Sequence, residues 1–302
     1  MMEEPDLERL LEHIEETNFC RRILREEPEV WKVLLGVDQG DDATVVEIGG
    51  ERLVINSEGP YPANIGRKAA IVHSAADVVV TGGEPVMAFD TIQAEDEEEA
   101  EEILKDLKKQ AEGLGISIVG GNTQSHPELV SCVSVTVIGR LVADEPIPDG
   151  TAREGDVLVF LGEPVRGDVG ERVRRARAKF NAYLRWIEEG VDISAAKDAS
   201  RGGVLGNLLE MMGKARKGLE LRSMPYPTWT GYLGIFMVCM DPDDVEKAGR
   251  IALEEGAPFV VAGEVVDEPG IRFAGRELVS ADDMIEVYKR LPYKPPATGT
   301  RG

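Results

Sequence analysis

Residues 40–57 read GDDATVVEIGGERLVINS and contain two short runs of β-branched residues on either side of Gly49-Gly50. Runs rich in Val, Ile and Thr that are separated by a pair of glycines are typical of two antiparallel strands joined by a tight turn. This stretch therefore predicts a β-hairpin. It opens with Asp41 and Asp42, in the loop that leads into the first strand.

The segments after the hairpin alternate between helical and strand-like patterns. An Ala- and Val-rich segment runs from Asn64 to Val80, and a run of acids from Glu95 to Glu102 begins a second helix. The predicted order is hairpin, helix, strand, helix, strand, strand, which indicates a mixed α+β fold. The strand-like runs are VMAFDTIQA (86–94), ISIVGG (116–121) and VSCVSVTVIGRL (130–141).

The character of the chain changes at ADEPIPDGTAREGD (143–156), where prolines and glycines lie between two apolar strands. This composition is typical of a domain boundary. We therefore predict an N-terminal domain over residues 36–148 and a second α+β domain over residues 149–290. The segments of the second domain are VLVFLG (157–162), an Arg-rich helix (170–189), KDASRGGVLGNLLEMMGKA (197–215), GYLGIFMVCM (231–240), the helix DPDDVEKAGRIALEEG (241–256) and PFVVAGEVV (258–266).

The two ends of the chain differ from the body. Residues 1–35 place Leu7, Leu10 and Ile14 at helical spacing, which predicts an amphipathic helical arm that packs on the body or on a partner. Residues 291–302 are rich in Pro and Gly, and we expect a loose tail there.

The charge of the chain limits its partners. The 302 residues include 34 Lys and Arg against 56 Asp and Glu, a formal net charge of −22. Such a charge repels phosphate polymers and anionic membranes, so we expect no nucleic acid and no membrane as a partner. No apolar run approaches the ~20 residues that cross a bilayer, and the start MMEEPDLERL is acidic where a signal peptide is basic. Three widely spaced cysteines favour a reducing compartment, and a cytoplasmic location is the expectation.

Several familiar site motifs are absent from the sequence. No GxGxxG follows a strand, and no GxxxxGK[ST] occurs, so dinucleotide-binding and P-loop chemistry are disfavoured. The histidines His13, His73 and His126 are far apart and lack zinc-site spacing. We interpret them as ordinary surface or core residues.

Acidic residues at two places are candidates for a metal site. Asp41 and Asp42 lie with Asp38 in the loop before the first strand. Mg²⁺ takes carboxylate and phosphate oxygens, and adjacent acids on a loop can supply them. A polar turn is the alternative, because Asp and Gly both favour turns. Asp77 lies in an otherwise apolar segment, where an inward carboxylate must find a cation or hydrogen bonds.

Glycine pairs occur at two further strand ends. GGNT (120–123) has bare backbone N–H groups that can approach a phosphate, although a left-handed turn would have the same sequence. In DASRGG (198–203), Asp198 or Ser200 can cap a helix while the glycine pair admits a ligand or another chain segment. Helix capping alone remains an alternative for this motif.

The order of these motifs carries more information than any one of them. The ordered set resembles the superfamily of aminoimidazole ribonucleotide synthetase, thiamine-monophosphate kinase, selenophosphate synthetase and the carbamoyl-dehydrating hydrogenase maturation protein. The resemblance extends from about Gly36 to Val266. The motifs that carry it are GDDA (40–43), the small-residue segment with Asp77 and GGEP (82–85), GGNT (120–123), TVIG (136–139) and DASRGG (198–203).

The resemblance implies a two-domain α+β protein with an AIR-synthase-like fold. Its N-terminal sheet would pair with that of a second copy to form a β-barrel in a homodimer, and its C-terminal domain would be an α+β sandwich. ATP would be held near the dimer interface by Mg²⁺. Carried over by position, the metal ligands are Asp41, Asp42, Asp77 and Glu58, the ATP-binding residues are Gly40, Gly82, Gly83, Gly120, Gly121, Asn122 and Thr123, and the catalytic, substrate-facing residues are Asp198, Ser200 and Arg201.

The sequence departs from the family pattern at several positions. The family usually has an acidic residue after the second strand, and in INSEGPY (55–61) only Glu58 can take that place. Asn122 stands where the family's GGDT motif has Asp. Fewer carboxylates weaken binding of a divalent metal. DASRGG is closest to the DPTRGG of the hydrogenase maturation protein, but PYKPPATGTRG (292–302) has no terminal cysteine, so we do not expect thiol-carried chemistry. The thiamine-monophosphate kinase group has an Asp where this chain has Arg201. The pattern is similar to archaeal AIR-synthase-related proteins, including a methanogenesis-marker group.

The leading hypothesis is a Mg²⁺- and ATP-dependent enzyme that activates a small substrate by phosphoryl transfer, as a kinase or synthetase. Asp198 and Arg201 would orient the acceptor, since the protein contributes mainly position and charge neutralisation. One alternative is a catalytically weak ATP-binding homodimer that acts as an assembly or regulatory subunit. The other is a dimer of this fold that binds no nucleotide.

Overall fold

The computed structural model describes residues 7–17, 24, 32–226, 233–291 and 293. Within this part of the chain the strands form two sheets, each accompanied by helices, in a mixed α+β fold of two domains. The first sheet contains β1 (Lys32–Leu35), β2 (Thr44–Ile48), β3 (Glu51–Pro62), β4 (Gly83–Ala94), β5 (Ser117–Ser125) and β6 (Cys132–Leu141). The second contains β7 (Val157–Leu161), β8 (Ile193–Asp198), β9 (Gly218–Leu221), β10 (Phe236–Met240), β11 (Phe259–Val266), β12 (Ile271–Phe273) and β13 (Arg276–Val279). The helices are α1 (Leu7–Thr17), α2 (Ala63–Val80), α3 (Glu97–Leu114), α4 (Val169–Glu188), α5 (Gly203–Ala215), α6 (Val245–Glu254) and α7 (Ala281–Arg290).

The predicted hairpin is confirmed as the start of the first sheet. Strands β2 and β3 pair antiparallel with Ile48 opposite Glu51. Gly49 and Gly50 form the turn with φ of 61° and 89°, values that favour glycine over residues with a Cβ. The full order is β1-β2-β3-β6-β4-β5, and β5 runs parallel to β4 at one edge. The predicted order of helices and strands after the hairpin is also confirmed.

Helices α2 and α3 lie on one face of the first sheet and are covered on their other side by α4. Helix α2 is buried along most of its length, with small residues such as Ala69, Ala70 and Ala75 allowing close approach. Tyr183 of α4 donates a hydrogen bond to the Val80 carbonyl at the end of α2, at 2.8 Å. One hydrophobic core therefore joins the first sheet to a face of the second.

A second core lies on the other face of the second sheet. The order of that sheet is β13-β12-β9-β11-β7-β10-β8, and α5, α7 and α1 cover this face. Leu10 and Ile14 of α1 are fully buried there. The part of the predicted helical arm that is described thus packs on the body of the chain.

Some sequence-based predictions need correction. Residues 32–35, assigned to the helical arm, form strand β1, because their backbone pairs antiparallel with β2. The short strands β9, β12 and β13 were not predicted; none is longer than four residues, so no clear alternation is present. Residues 294–302 of the predicted tail lie outside the described residues, while Leu291 is buried against the second core.

The first sheet does not close on itself within the described chain. Its edges are β1 and β5, so the predicted barrel is not formed by one copy. Among the described helices, none combines the length and the apolar character that a membrane span requires.

Candidate metal and substrate site

A cavity of about 360 Å³ lies where the loop before β2, helix α2, the end of β8 and the start of α5 meet. It brings together residues from both halves of the chain, as the order of motifs predicts. The residues that line it are His13, Gly36, Val37, Gly40, Asp41, Asp42, Thr44, Glu58, Asp77, Lys197, Asp198, Ser200, Arg201, Asn207 and Glu210.

Three carboxylates form the centre of this site. Asp42, Asp77 and Asp198 each offer an oxygen, and these oxygens lie within 4.8 Å of one another. Asp42 comes from the loop before β2, Asp77 from α2 and Asp198 from the last position of β8. Three carboxylate oxygens at this separation match the ligands that a hard divalent cation takes.

The position of α2 explains why Asp77 belongs to the site. Because α2 lies between the first sheet and α4, Asp77 is only 7% exposed, and it lines the cavity. Burial, and next the negative charges of Asp198 and Asp42, raise the pKa of Asp77 well above its usual value. A cation bound beside the carboxyl group would favour its ionised form.

Asp198 is also buried beside other carboxylates. Burial, and next the charge of Asp42, raise its pKa to about 7. One of its oxygens, Oδ1, has no hydrogen-bond partner among the described residues, and its backbone N–H donates to Asp42 Oδ2 at 3.3 Å. Asp198 thus fixes one side of Asp42 while its own carboxylate remains available.

Glu58 lies at the wall of the cavity and is a possible fourth ligand. Its Oε2 accepts a short hydrogen bond from the Tyr61 hydroxyl. Its charge contributes to the raised pKa values of both Asp77 and Asp198, although it is not in their 4.8 Å group. Glu58 therefore contributes negative charge to the site from the first sheet.

Asp41 lines the cavity and also contacts the segment between the two domains, and its role as a metal ligand stays a prediction. Its Oδ1 accepts from the backbone N–H of Asp149 at 2.5 Å, and it lies outside the group formed by the three central carboxylates. Burial, and next the charge of Asp149, raise its pKa well above the usual value. Asp41 joins the loop before β2 to the segment that connects the two domains.

A buried network of ion pairs lies beside the three carboxylates. Lys197 pairs with Asp42 at 2.5 Å, with Asp149 at 3.2 Å and with Glu210 at 3.7 Å. Lys214 pairs with Asp149 at 2.6 Å and with Glu210 at 2.8 Å. Burial alone would lower the pKa of Lys197, but these carboxylates raise it well above its usual value, so the ammonium group stays charged.

The predicted substrate-facing residues are also at the cavity. Ser200 and Arg201 line it together with Asp198, and the Ser200 hydroxyl lies 3.4 Å from Asn207 Oδ1. Gly40 lines the cavity as well. These positions are those that the order of motifs leads us to expect.

The other predicted ATP-binding residues do not line this cavity. Gly82 and Gly83 are buried at the end of α2, where a Cβ would lie 3.0 Å from Ala143 or 2.9 Å from Val54. Gly120, Gly121, Asn122 and Thr123 are exposed on the edge strand β5. Their role in ATP binding stays a prediction.

Sequence reasoning missed several residues of the site. Lys197 directly precedes Asp198, and Asn207, Glu210 and Lys214 are polar residues at helical spacing in the apolar helix α5. That spacing is a signal that could have identified a buried polar face. His13, interpreted as an ordinary histidine, lines the cavity from α1, and no local pattern in the sequence indicates this.

Comparisons with known proteins find family models over both halves of the chain. The family model of the AIR synthase related protein N-terminal domain matches residues 40–141, and that of the C-terminal domain matches residues 171–275. An uncharacterised protein of Methanocaldococcus jannaschii is 45% identical over 293 residues, covering 96% of this chain and 98% of that protein. A thiamine-monophosphate kinase of Mycobacterium tuberculosis is 31% identical over 178 residues, covering 53% of this chain and 51% of that protein.

Solved structures share the fold. Thermotoga maritima PurL complexed with ATP superposes with a TM-score of 0.69 at 19% identity, covering 86% of this chain and 48% of that one. This chain therefore spans about half the length of the PurL chain. The HypE-HypF complex contains a chain that superposes with a TM-score of 0.65 at 19% identity, covering 86% of this chain and 95% of that one. The resemblance found in the sequence is confirmed.

Replacing Lys214 by Met tests the ion network. The change leaves Asp149 and Glu210 with one buried cation fewer, and we expect the free energy of unfolding to fall by about 3 kcal/mol. The matched control is Lys105→Met, since Lys105 also pairs with a glutamate four residues away, Glu101, but on the exposed surface. Urea unfolding should show no measurable change for the control. Equal effects of the two substitutions would contradict the structural role of the network.

The pKa of Asp198 predicts how Mg²⁺ binding depends on pH. A proton and Mg²⁺ compete for this carboxylate below pH ~7, so the increase in Tm produced by Mg²⁺ should grow as the pH rises through about 7. Without metal, the contribution of Asp198 to stability changes with pH in the opposite direction. The folded state keeps a proton that the unfolded state has lost, so the contribution of Asp198 to stability decreases as the pH rises from 3.8 to about 7. Differential scanning fluorimetry checks both trends, and Asp198→Asn should remove them; a variant with unchanged pH dependence would show that another group is responsible.

Proposed function

The chain belongs to the AIR synthase related family, and on that premise we propose that it is a Mg²⁺-dependent, ATP-binding enzyme that activates a small substrate by phosphoryl transfer. The observation that carries the proposal is the group of three closely spaced carboxylates, Asp42, Asp77 and Asp198, in one cavity. Relatives in the family include proteins named thiamine-monophosphate kinase and selenide, water dikinase. A solved structure with the same fold is titled as PurL complexed with ATP.

The donor set supports Mg²⁺ rather than a softer metal. All three ligating groups are carboxylates, and no Cys lines the cavity; His13 is the one imidazole among its lining residues, and it lies outside the carboxylate group. Hard oxygen ligands favour Mg²⁺, which also keeps several waters and binds phosphate oxygens. Glu58 is near enough to add charge through the cavity wall.

Each carboxylate would act by holding the ion in place. Bound Mg²⁺ would offset the negative charge of the phosphates of ATP during transfer. Asp77 is fixed by its buried helix, and Asp42 by Lys197 and the Asp198 backbone, so two of the three ligands are positioned before any ion binds. Preorganised groups of this kind lower the cost of reorganisation in the reaction.

The small substrate that accepts the phosphoryl group would bind beside the Mg²⁺ ion. Ser200 and Arg201 line the cavity two and three residues after Asp198, so a substrate held by them lies next to the metal ligands. Holding the acceptor and the phosphoryl group in one cavity supplies the orientation that the reaction needs. The substrate is a small molecule in this proposal, consistent with a cavity of about 360 Å³.

We also propose that two copies pair through their first sheets and form a barrel. The sheet face away from α2 and α3 exposes Phe89 (39%) and Val86 (37%), and β5 exposes Val119 (54%) at an open edge. Apolar residues on a sheet face with a free edge are typical of an interaction surface. Pairing would place the GGNT segment (120–123) at the interface, where its backbone N–H groups would contact the nucleotide.

ATP binding is the first test of the proposed function. Isothermal titration calorimetry with ATP and Mg²⁺ should show binding to the wild type, and Asp42→Asn should weaken it by about tenfold or more, because a metal ligand loses its charge. Asp38→Asn, an exposed change in the same loop, should leave the affinity unchanged. If ATP affinity and its Mg²⁺ dependence were the same in Asp42→Asn, the metal assignment would be wrong.

The proposed dimer predicts a change in oligomeric state. Analytical ultracentrifugation should find a dimer for the wild type and a shift towards monomer for Phe89→Lys, which introduces a charge on the sheet face. Leu253→Lys is the control, since Leu253 is 80% exposed on α6 and lies away from the first sheet. A wild-type monomer, or a dimer insensitive to Phe89→Lys, would exclude pairing through this face.

A further inference from the structure

The ammonium group of Lys197 lies at the centre of a second group of carboxylates. Its Nζ atom is 2.5 Å from Asp42 Oδ1, 3.2 Å from Asp149 Oδ2 and 3.7 Å from Glu210 Oε2. These oxygens come from three separate parts of the chain, which are the loop before β2, the segment between the domains and helix α5. We call Asp42, Asp149 and Glu210 the outer group, and Asp42, Asp77 and Asp198 the inner group.

Asp42 belongs to both groups. Its Oδ1 accepts a hydrogen bond from Lys197 Nζ, and its Oδ2 accepts one from the backbone N–H of Asp198 at 3.3 Å. Enzymes that use two metal ions hold them about 3.5–4 Å apart, so that neighbouring ions can share a carboxylate. The surroundings of Asp42 have the form of two such neighbouring cation positions, and an ammonium group occupies the outer one.

The ammonium group at the outer position is part of the chain and is almost fully buried. The side chains of Asp149 and Glu210 that surround it are also almost fully buried. Lys214 lies on the other side of the same two carboxylates, 2.6 Å from Asp149 and 2.8 Å from Glu210, and donates to the Gly40 carbonyl. The positive charge at this position therefore cannot be lost by dissociation, as that of a bound ion can.

The two groups differ in how their negative charge is compensated. Lys197 and Lys214 supply two ammonium groups for the three carboxylates of the outer group. Within the described part of the chain, Asp77 and Asp198 of the inner group form no ion pair, and the buried Oδ1 of Asp198 accepts no hydrogen bond. A buried carboxylate oxygen without a partner is costly unless a cation or a proton reaches it. The inner group is therefore the one whose oxygens are available to an added cation.

We propose that the ammonium group of Lys197 takes the position of a second metal ion, so that each chain binds a single divalent cation, at the inner group. The inference rests on the metal assignment of the proposed function and goes beyond it, because it fixes the number of ions and gives Lys197 a role. Lys197 also lines the cavity. A phosphate bound there would lie near one exchangeable cation and one permanent cation.

A lysine is suited to this position. Its ammonium group is a compact point charge with three donors, and three carboxylates surround it. The pairing with Lys197 orients Asp42 before any metal binds, and a ligand that is oriented in advance needs less reorganisation. Lys197 is thus a positioning residue for the inner group, acting through Asp42.

Counting bound Mn²⁺ by electron paramagnetic resonance tests the proposal on the full chain. Mn²⁺ takes the same oxygen ligands as Mg²⁺. After treatment with a chelator, the wild type should bind one Mn²⁺ per chain tightly, with the hyperfine pattern of an isolated ion. Asp77→Asn, which changes the inner group alone, should weaken this binding about tenfold or more, which separates it from weak binding at surface acids.

Lys197→Met tests the role of the ammonium group directly. The substitution removes the charge and keeps a side chain of similar length, so the outer group retains only Lys214 of its two lysines. We expect a second Mn²⁺ to bind in this variant, with a broadened spectrum, because the spins of two ions that share Asp42 interact. The control is Lys105→Met, which removes an exposed lysine paired with Glu101 and should leave the count at one.

The outcomes separate this inference from the proposed function. Two tight Mn²⁺ ions in the wild type would overturn the inference and leave the metal assignment of the proposed function standing, whereas no tight ion would overturn both. A folded Lys197→Met that still binds one isolated ion would also overturn the inference. If Lys197→Met does not fold, the count in the wild type and in Asp77→Asn decides.

Discussion

The need to compensate buried charge governs the junction between the two halves of this chain. Several carboxyl groups lie close together there, and among the described residues the ammonium groups of Lys197 and Lys214 pair with three of them, those of Asp42, Asp149 and Glu210. The remaining negative charge must be removed by protons or matched by a further cation. The raised pKa values of Asp41, Asp42, Asp77 and Asp198 correspond to neutralisation by protons. A bound divalent ion would be the further cation.

The layered fold makes this concentration of charge possible. Helix α2 has a sheet on one side and α4 on the other, so Asp77 is buried except where it lines the cavity. The loop before β2 is held by Asp41 on the Asp149 backbone and by Lys214 on the Gly40 carbonyl. Apolar packing therefore fixes the backbone, and the fixed backbone keeps like charges together that would separate in a flexible loop.

The sequence predicted most of the first sheet and the centre of the site, for local reasons. Asp42, Asp77 and Asp198 each stand out against their neighbours, as an acid in a glycine loop, in an apolar helix or at a strand end. Lys197, Glu210 and His13 were missed because their roles come from contacts between segments far apart in the chain. Spacing along one helix carries no information about which distant loop it faces. The contact of Asp41 Oδ1 with the backbone N–H of Asp149 likewise joins distant segments, and the role of Asp41 as a metal ligand stays a prediction of the resemblance.

Some residues of the site lie inside the two regions that match the family models, and others lie outside them. Asp42, Asp77 and Asp198 lie inside the two segments that match the family, whereas His13 and Asp149 lie before and between them. Asp149 pairs with both lysines, and His13 lies against Gly202 at the start of α5 and is ion-paired with Glu210. Since an ion held by Asp42, Asp77 and Asp198 would join both halves, its binding would also stabilise their contact. The site is therefore built from residues of both matched regions together with residues that lie outside them.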